Sequence, residues 1–335
     1  MIKKPLCIIG FLAILLQVSC LRSRTVAIGF LLPNLTDGRY PKDRNFFVEK
    51  ISQLGGKVEI GDAHNDPNLQ EEQARQMIEK GVKIIVICAV NQNLAASIVR
   101  FAHDHSVKVI AYERLIQNCE LDYFVAFDHY IVGKQQASYA IQQKPNGNYI
   151  LFGGDKGDKN AELIKKGQIE VIETFVKSGK IKVIYNAFVE DWDATVAYNE
   201  MNKVLHLAGE KIDVVLSAND GMAEGIIKAL DENQPGYPVI VTGLDADISA
   251  CRRIAKGKQT MTVYKPFKKQ AEITAELAMN VINGKNIQNI SGTTFNGTSN
   301  VQTITLQSII VDGVNMRNTV ISDGYLKESD IFRKD

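Results

Sequence analysis

Short apolar runs rich in Val and Ile alternate along this chain with longer segments of helical period. Most of the runs are continuous rather than alternating, which indicates strands covered on both faces. The intervening segments place apolar residues three and four apart, as amphipathic helices do. The pattern predicts βαβ units and mostly parallel sheets flanked by helices. The predicted strands are 25–32, 57–60, 83–88, 107–112, 148–152, 182–188, 213–217, 238–242 and 259–264, and the clearest helices are 69–80, 95–105 and 271–283.

The predicted strands fall into two groups, with residues 123–128 and 131–142 between them. One sheet containing all of them would be unusually wide. The length of 335 residues also exceeds that of most single domains. We therefore expect an α/β protein with two similar lobes, each built on its own parallel sheet. After these units the pattern changes to a polar stretch at 286–300, an alternating strand at 301–311 and a polar tail. This change indicates that the end of the chain crosses back to a lobe it has left.

Residues 1–19 have the pattern of an export signal. Lys3 and Lys4 precede an apolar run that ends at Leu16, which is shorter than the roughly 20 residues needed to cross a membrane. Cys20 follows a small residue, as in a bacterial lipobox, so we expect lipidation at Cys20 and a tether at 20–24. The alternative is an ordinary signal cleaved nearby, with Cys20 as a bystander.

Composition and charge exclude several classes of protein. Hydrophobic residues make up 45% and charged residues 23% of the chain, which excludes a disordered, collagen-like or multi-span membrane protein. A formal charge of +1 gives no single-sign field that would attract nucleic acid or anionic lipid. We therefore expect no nucleic-acid partner, and contact with a membrane through the lipid anchor only.

The chain lacks the motifs of common catalytic and cofactor sites. It contains no phosphate-binding loop, no dinucleotide fingerprint after the first strand, no nucleophile elbow and no His-Glu-x-x-His zinc motif. The five His residues show no metal-binding spacing. We expect no cofactor and no metal, and an enzyme ranks below a binding protein.

Polar and charged residues recur where the predicted strands end, which is the edge at which open α/β sheets bind ligands. Helix capping is the alternative reading for each of them taken singly, with Asn219, Asp220 and Asp245 as natural caps, and core packing is the alternative for Trp192. The predicted site residues are Arg39, Tyr40, Glu113, Arg114, Asp158, Asn160, Trp192, Asn219, Asp245 and Lys265.

These residue types suit a neutral polyhydroxyl ligand. Each sugar hydroxyl both donates and accepts a hydrogen bond, so it fits between a carboxylate or amide oxygen and an Arg, Lys or amide N–H. Bonds to the charged groups are the stronger ones. Trp192 would stack on the apolar face of a pyranose, and Tyr40 would cover its opposite face.

On these residues the chain resembles the periplasmic sugar-binding proteins of the ribose and galactose type, and among them the xylose-binding members. The resemblance runs from about residue 25 to the C-terminus. It is carried by short segments in order, namely 39–44 (RYPKDR), 111–114 (AYER), 158–161 (DKNA), 217–220 (SAND), 245–247 (DAD) and 259–266 (QTMTVYKP).

The resemblance implies the type I periplasmic binding fold, in which two Rossmann-like lobes are joined by a three-stranded hinge and the sugar binds in the cleft. By similarity, lobe one holds 25–128 and 266–300, and lobe two holds 129–265 and 301–335. The resemblance also implies sugar contacts from Arg39, Arg114, Asp158, Asn160, Asn219, Asp245 and Lys265, with stacking from Trp192. Four positions depart from the family pattern: Tyr40 replaces Trp, Glu113 replaces Asp, Leu244 replaces Gln, and His129 replaces Asn.

The implied function is that of a monomeric, lipid-anchored receptor in the periplasm or at the extracytoplasmic face. It would close on a pentose, D-xylose in the first place, and deliver the sugar to the permease of an ABC importer. The alternative is a receptor whose closed state is read by a membrane histidine kinase. An enzyme that acts on a sugar, such as a lyase or an epimerase, ranks third.

Overall fold

The computed structural model describes residues 27–36, 39–207, 209–234 and 236–332. The predicted signal at 1–19, the predicted lipidation site Cys20 and the tether at 20–24 lie outside the described residues. Across the ranges that are described, no helix is long and apolar enough to cross a membrane.

Strands and helices alternate through most of the chain, and every predicted strand overlaps an observed one. The strands are β1 (Ala27–Leu32), β2 (Lys57–Asp62), β3 (Ile84–Ile87), β4 (Lys108–Tyr112), β5 (Tyr123–Phe127), β6 (Gly147–Gly153), β7 (Ile181–Phe188), β8 (Val214–Ser217), β9 (Ile240–Val241), β10 (Met261–Tyr264), β11 (Gly292–Phe295), β12 (Asn300–Leu306) and β13 (Ile309–Asp312). The helices are α1 (Tyr40–Gln53), α2 (Pro67–Glu79), α3 (Ala96–Asp104), α4 (His129–Gln143), α5 (Lys159–Lys177), α6 (Ala194–Leu207), α7 (Asp220–Asn233), α8 (Ile248–Ala255), α9 (Phe267–Ile282) and α10 (Glu328–Ile331).

The first sheet has seven strands in the order β11-β12-β5-β4-β3-β1-β2. All neighbours in this sheet are parallel except β11 and β12. The interior strand β3 is buried along its whole length, as expected for a parallel strand covered by helices on both faces. We call this sheet, with α1, α2, α3 and α9, lobe one.

The second sheet has four parallel strands in the order β7-β6-β8-β9. A bridge between Leu244 and Val263 extends this sheet to β10, which pairs antiparallel with β13. We call these strands, with α4 to α8, lobe two. The prediction of an α/β protein with mostly parallel sheets is confirmed.

The chain passes between the lobes after β5, after β10 and after β12. The assignment of 301–306 to lobe two is wrong, because β12 pairs with β5 in the sheet of lobe one. The alternating pattern at 301–311 covers two strands, β12 and β13, which are separated by Gln307 and Ser308. The two strands lie in different sheets. Residues 123–128, which the pattern leaves between the two groups, contain β5.

Candidate functional site

The predicted site residues all lie beyond the carboxyl ends of strands, in loops or in the first residues of the next helix. Because the carboxyl ends of parallel strands share one edge of a sheet, each lobe presents its own part of the set. Lobe one contributes Arg39 and Tyr40 after β1, and Glu113 and Arg114 after β4. Lobe two contributes Asp158 and Asn160 after β6, Trp192 after β7, Asn219 after β8 and Asp245 after β9. Lys265 follows β10 at the second crossing.

Glu113 lies at the centre of a buried group of charged and polar side chains. Its carboxylate Oε1 lies 3.0 Å from Arg39 Nη1, 2.6 Å from Lys265 Nζ and 3.2 Å from His129 Nε2. Its Oε2 accepts a hydrogen bond from Gln270 Nε2 at 3.1 Å. Glu113 itself is only 3% exposed. We call these five residues the Glu113 cluster.

The charges of the Glu113 cluster support one another. Burial acts to raise the pKa of Glu113, but Arg39, Lys265 and His129 outweigh it and hold that pKa well below its usual range. Burial likewise acts to lower the pKa of Arg39, while Glu113 and Asp43 raise it above its usual value. Glu113 and Arg39 are therefore both charged at neutral pH.

Asp245 joins the cluster through Lys265, whose Nζ lies 3.0 Å from Asp245 Oδ1. Asp245 and Ala246 have φ angles of +96° and +53°, which non-glycine residues rarely adopt. Such backbone conformations concentrate at ligand sites. The following helix, α8, has Asp247 at its N-cap position. The capping alternative for Asp245 is therefore wrong.

Asp220 stabilises the turn that carries Asp245. One of its carboxylate oxygens accepts from Gln259 Nε2 at 2.7 Å. The other accepts from Thr262 Oγ1 at 2.9 Å and from the backbone N–H of Asp247 at 3.0 Å. Burial and the neighbouring carboxylate of Asp247 raise the pKa of Asp220 well above its usual value. Asp220 therefore positions the turn and is itself buried, at 1% exposure.

The start of α5 brings lobe two against lobe one. Asp158 is the N-cap residue of α5, and its Oδ2 lies 3.6 Å from Arg114 Nε. Asn160 donates from Nδ2 to the backbone carbonyl of Glu113 at 3.4 Å. Four of the predicted site residues therefore meet across the boundary between the lobes.

Trp192 lies on the backbone of Gly154 rather than in the Glu113 cluster. A Cβ atom at Gly154 would come within 2.3 Å of three atoms of the Trp192 ring, so the ring is in close contact with this glycine. Trp192 is half-buried and packs at the margin of the lobe-two core. This packing is compatible with the core alternative and leaves part of the ring accessible.

Asn219 and Tyr40 are positioned by contacts with their neighbours along the chain. Asn219 Oδ1 accepts from the backbone N–H of Met222 and so caps α7, as the capping alternative predicts. This cap leaves the amide Nδ2 as the group of Asn219 that can reach a ligand. The ring of Tyr40 lies 5.8 Å from the Arg39 guanidinium carbon.

Three residues of the site were not among the predicted contacts. The sequence marks His129 only as a departure from the family pattern and does not single out Gln270 or Asp43. Gln270 is fully buried on the apolar face of α9, and a buried amide in an apolar stripe is the signal that marks it. Asp43 accepts from Arg39 Nε at 3.0 Å, and their spacing of four residues across the start of α1 is a signal of such a pair. Among the described residues, no group of three or more His, Cys, Asp or Glu side chains forms a metal-binding arrangement.

A model of the periplasmic binding protein domain matches residues 28–286 of this chain. The chain belongs to the periplasmic binding protein family. This periplasmic binding protein is 38% identical over 314 residues to the D-xylose-binding periplasmic protein of Haemophilus influenzae, and the match covers 94% of each chain. It is 37% identical over 319 residues to the D-xylose-binding periplasmic protein of Escherichia coli, and that match covers 95% of this chain and 96% of the relative.

A solved structure gives the same fold. The carbohydrate transporter solute-binding protein of Chloroflexus aurantiacus, in complex with D-glucose, superimposes with a TM-score of 0.85 at 27% identity. The match covers 92% of this periplasmic binding protein and 98% of that chain. The predicted resemblance is confirmed, and so is the expectation of a sugar-binding protein rather than an enzyme.

Proposed function

We propose that this periplasmic binding protein binds a pentose, D-xylose in preference to other sugars, between lobe one and lobe two. The ten predicted site residues supply the contacts, with Trp192 stacking on one face of the pyranose. A sugar that bonds to both lobes stabilises the closed arrangement by its differential affinity for that arrangement.

The observation that carries this proposal is the meeting of charged side chains from both lobes at the carboxyl ends of the strands. Arg114 of lobe one faces Asp158 of lobe two, and Lys265 lies between Glu113 and Asp245. Such alternating donors and acceptors match adjacent hydroxyls of a sugar, which each donate and accept.

The choice of D-xylose rests on the relatives. The proteins named as D-xylose-binding are 38% and 37% identical to this chain, whereas the structure with bound D-glucose is 27% identical. Tyr40, Glu113, Leu244 and His129 depart from the family pattern, so the ranking of sugars is the part of the proposal that most needs measurement.

Calorimetry and tryptophan fluorescence test the proposal directly, because Trp192 is the only Trp in the chain. We expect D-xylose to bind with a dissociation constant near the micromolar range, which corresponds to a binding free energy of about −8 kcal/mol. Binding should also change the Trp192 emission. L-Arabinose, D-ribose and D-glucose should bind more weakly. Tighter binding of D-glucose would contradict the pentose assignment, and no binding of any of the four sugars would contradict the proposed function.

We propose that the receptor acts in the periplasm, anchored through Cys20, and delivers its sugar to an ABC importer. Uptake of labelled D-xylose by cells with and without the gene tests this partner. Loss of uptake supports the importer. Intact uptake with loss of xylose-dependent transcription would favour the histidine-kinase alternative, which uses the same cleft.

A further inference from the structure

Three consecutive residues at the start of α5 contact lobe one. Two of these contacts, Asp158 with Arg114 and Asn160 with Glu113, involve predicted sugar-binding residues. The third contact joins residues outside that set. The backbone N–H of Lys159 donates to Gln92 Oε1 at 3.2 Å.

Gln92 is held firmly in lobe one. It lies in the loop that follows β3 and is 7% exposed. Its backbone carbonyl accepts from the backbone N–H of Gln117 at 2.8 Å, which ties the loop to the segment after β4. The side-chain oxygen of Gln92 is therefore presented to lobe two from a fixed backbone.

Lys159 needs an acceptor from outside its own helix. It is the first residue of the 19-residue helix α5, and the first N–H groups of a helix have no partner within that helix. The side chain of Asp158, the N-cap residue, accepts a hydrogen bond from the backbone N–H of Asn160. This cap does not accept from the backbone N–H of Lys159. The N-terminal end of a helix also carries partial positive charge, which favours an oxygen at this point.

We propose that Gln92 is the lobe-one residue that captures α5 when the two lobes close, and that it sets the sugar affinity without contacting the sugar. The inference rests on the proposed function, because it concerns the same closure. Gln92 is a positioning residue, since it acts on the closed arrangement through α5.

This role predicts a uniform effect on all sugars. If Gln92 stabilises the closed arrangement alone, its loss lowers the equilibrium constant for closure of every sugar complex by the same factor. The apparent dissociation constants of different sugars then rise together. The change appears in the dissociation rate, because the bond forms only after the lobes have met.

Substitutions at Gln92 can separate the roles of its side-chain oxygen and nitrogen. Oε1 accepts from Lys159, whereas Nε2 is buried and has no hydrogen-bond partner among the described residues. Gln92→Glu keeps an acceptor at the helix N-terminus and removes the unpaired donor. Gln92→Leu has a similar volume and removes both polar atoms.

The test uses the full chain and compares Gln92→Leu, Gln92→Glu and the control Gln117→Leu. Gln117 lies in the same region, but its Nε2 bonds to the Leu115 carbonyl within lobe one. We expect Gln92→Leu to raise the dissociation constants of D-xylose, L-arabinose and D-glucose by one common factor of about 3 to 10. Gln92→Glu and Gln117→Leu should stay within about twofold of the parent. Stopped-flow fluorescence should assign the change to the dissociation rate.

Three results would overturn the inference. One is an unchanged sugar affinity in Gln92→Leu, and another is a loss of sugar affinity in Gln92→Glu equal to that in Gln92→Leu. The third is a loss of affinity that differs from sugar to sugar, which would indicate that Gln92 contacts the sugar. If the parent binds none of the sugars, the proposed function fails and small-angle scattering decides the inference alone. A larger radius of gyration in Gln92→Leu than in the parent supports the capture of α5, and equal radii overturn it.

Discussion

At the scale of single residues, the site depends on one buried carboxylate. Removing a carboxylate from water costs several kcal/mol, and only close opposite charges with further hydrogen bonds offset that cost. Glu113 has both, because Arg39 and Lys265 lie within 3.0 Å of it and Gln270 bonds to its second oxygen. Deleting the shared carboxylate would leave two buried cations with incomplete partners. Glu113 therefore supports the folded state as well as the site.

Glu113→Gln is expected to lower the free energy of unfolding by about 3 kcal/mol, the lower end of the range for a broken buried pair. Asp43 and Asp245 remain as partial partners of the two cations, which limits the loss. Urea denaturation measures the change. The control Glu173→Gln breaks an exposed pair with Lys177 and should cost less than about 1 kcal/mol. Equal losses in the two variants would contradict the central role of Glu113.

Asp245→Asn is expected to weaken sugar binding by about 2 to 5 kcal/mol, because Lys265 and the sugar hydroxyls lose a carboxylate acceptor. Asn tolerates a positive φ better than most residues, so the turn at +96° should persist. Calorimetry measures the affinity and thermal unfolding reports on the fold. The control Asp231→Asn, which loses an exposed pair with Lys258 in the same lobe, should bind as the parent does. Parent-like affinity in Asp245→Asn would remove Asp245 from the site.

At the scale of elements, the sequence predicts the strands well and fails where a bend or a tertiary contact decides. Strands of both lobes are recognisable because continuous Val and Ile runs are typical of strands buried on both faces. The pattern does not predict the division of 301–311 into two strands, since alternation continues through the bend at Gln307 and Ser308 without a turn signal. No local pattern predicts the contact between Gln270 and Glu113, because that contact requires α9 to pack on the end of β4.

Gly154→Ala is expected to displace the Trp192 ring, because the added Cβ would lie 2.3 Å from three ring atoms. If Trp192 stacks on the sugar, affinity should fall by about 1 kcal/mol or more, the size of an aromatic contact. Emission of the single Trp reports the displacement, and calorimetry reports the affinity. The control Gly221→Ala meets its nearest atom at 3.7 Å and should change neither. A shifted emission with unchanged affinity would favour a packing role for Trp192.

At the scale of the whole molecule, the C-terminal segment 313–332 adds a connection between the lobes beyond the three crossings. The Tyr325 ring packs against Phe267 of α9, with centroids 5.6 Å apart, and Lys42 of α1 lies 4.0 Å above it. Arg252 of α8 in lobe two donates to the Asp330 carbonyl at 2.6 Å. Because this segment contacts both lobes, lobe motion must carry it along or break its contacts with one lobe.

The predicted anchor concerns the whole chain in its cellular setting. Cys20→Ala is expected to move the protein from the detergent phase to the aqueous phase, because the acyl chains that hold it at the membrane would be missing. Phase partitioning of whole cells measures this. Cys7→Ala, which changes a cysteine inside the predicted signal, should leave the partitioning as it is. Aqueous partitioning of the parent would favour the ordinary signal.

Stability is expected to increase as the pH is lowered from about 7.5 to about 5, because buried carboxyls in both lobes favour their protonated form. Burial raises the pKa of Asp43 in lobe one to about 6 and that of Asp247 in lobe two to about 6, and it raises the pKa of Asp220 further. A carboxyl whose pKa is higher in the folded than in the unfolded chain contributes stability that is complete below its unfolded pKa of roughly 3.9. That contribution is lost as the pH rises through about 6.

Each of Asp43 and Asp247 should therefore add about 1 kcal/mol to the free energy of unfolding over this range. Urea denaturation at several pH values measures the slope, and Asp43→Asn should reduce it because the Asn side chain does not titrate. The readout is the slope rather than the absolute stability, since Asp43→Asn also removes the ion pair with Arg39. A free energy of unfolding that stays constant between pH 7.5 and pH 5 would mean that these carboxyls ionise in the folded chain as easily as in the unfolded one, and a decrease toward pH 5 would mean that they ionise more easily in the folded chain.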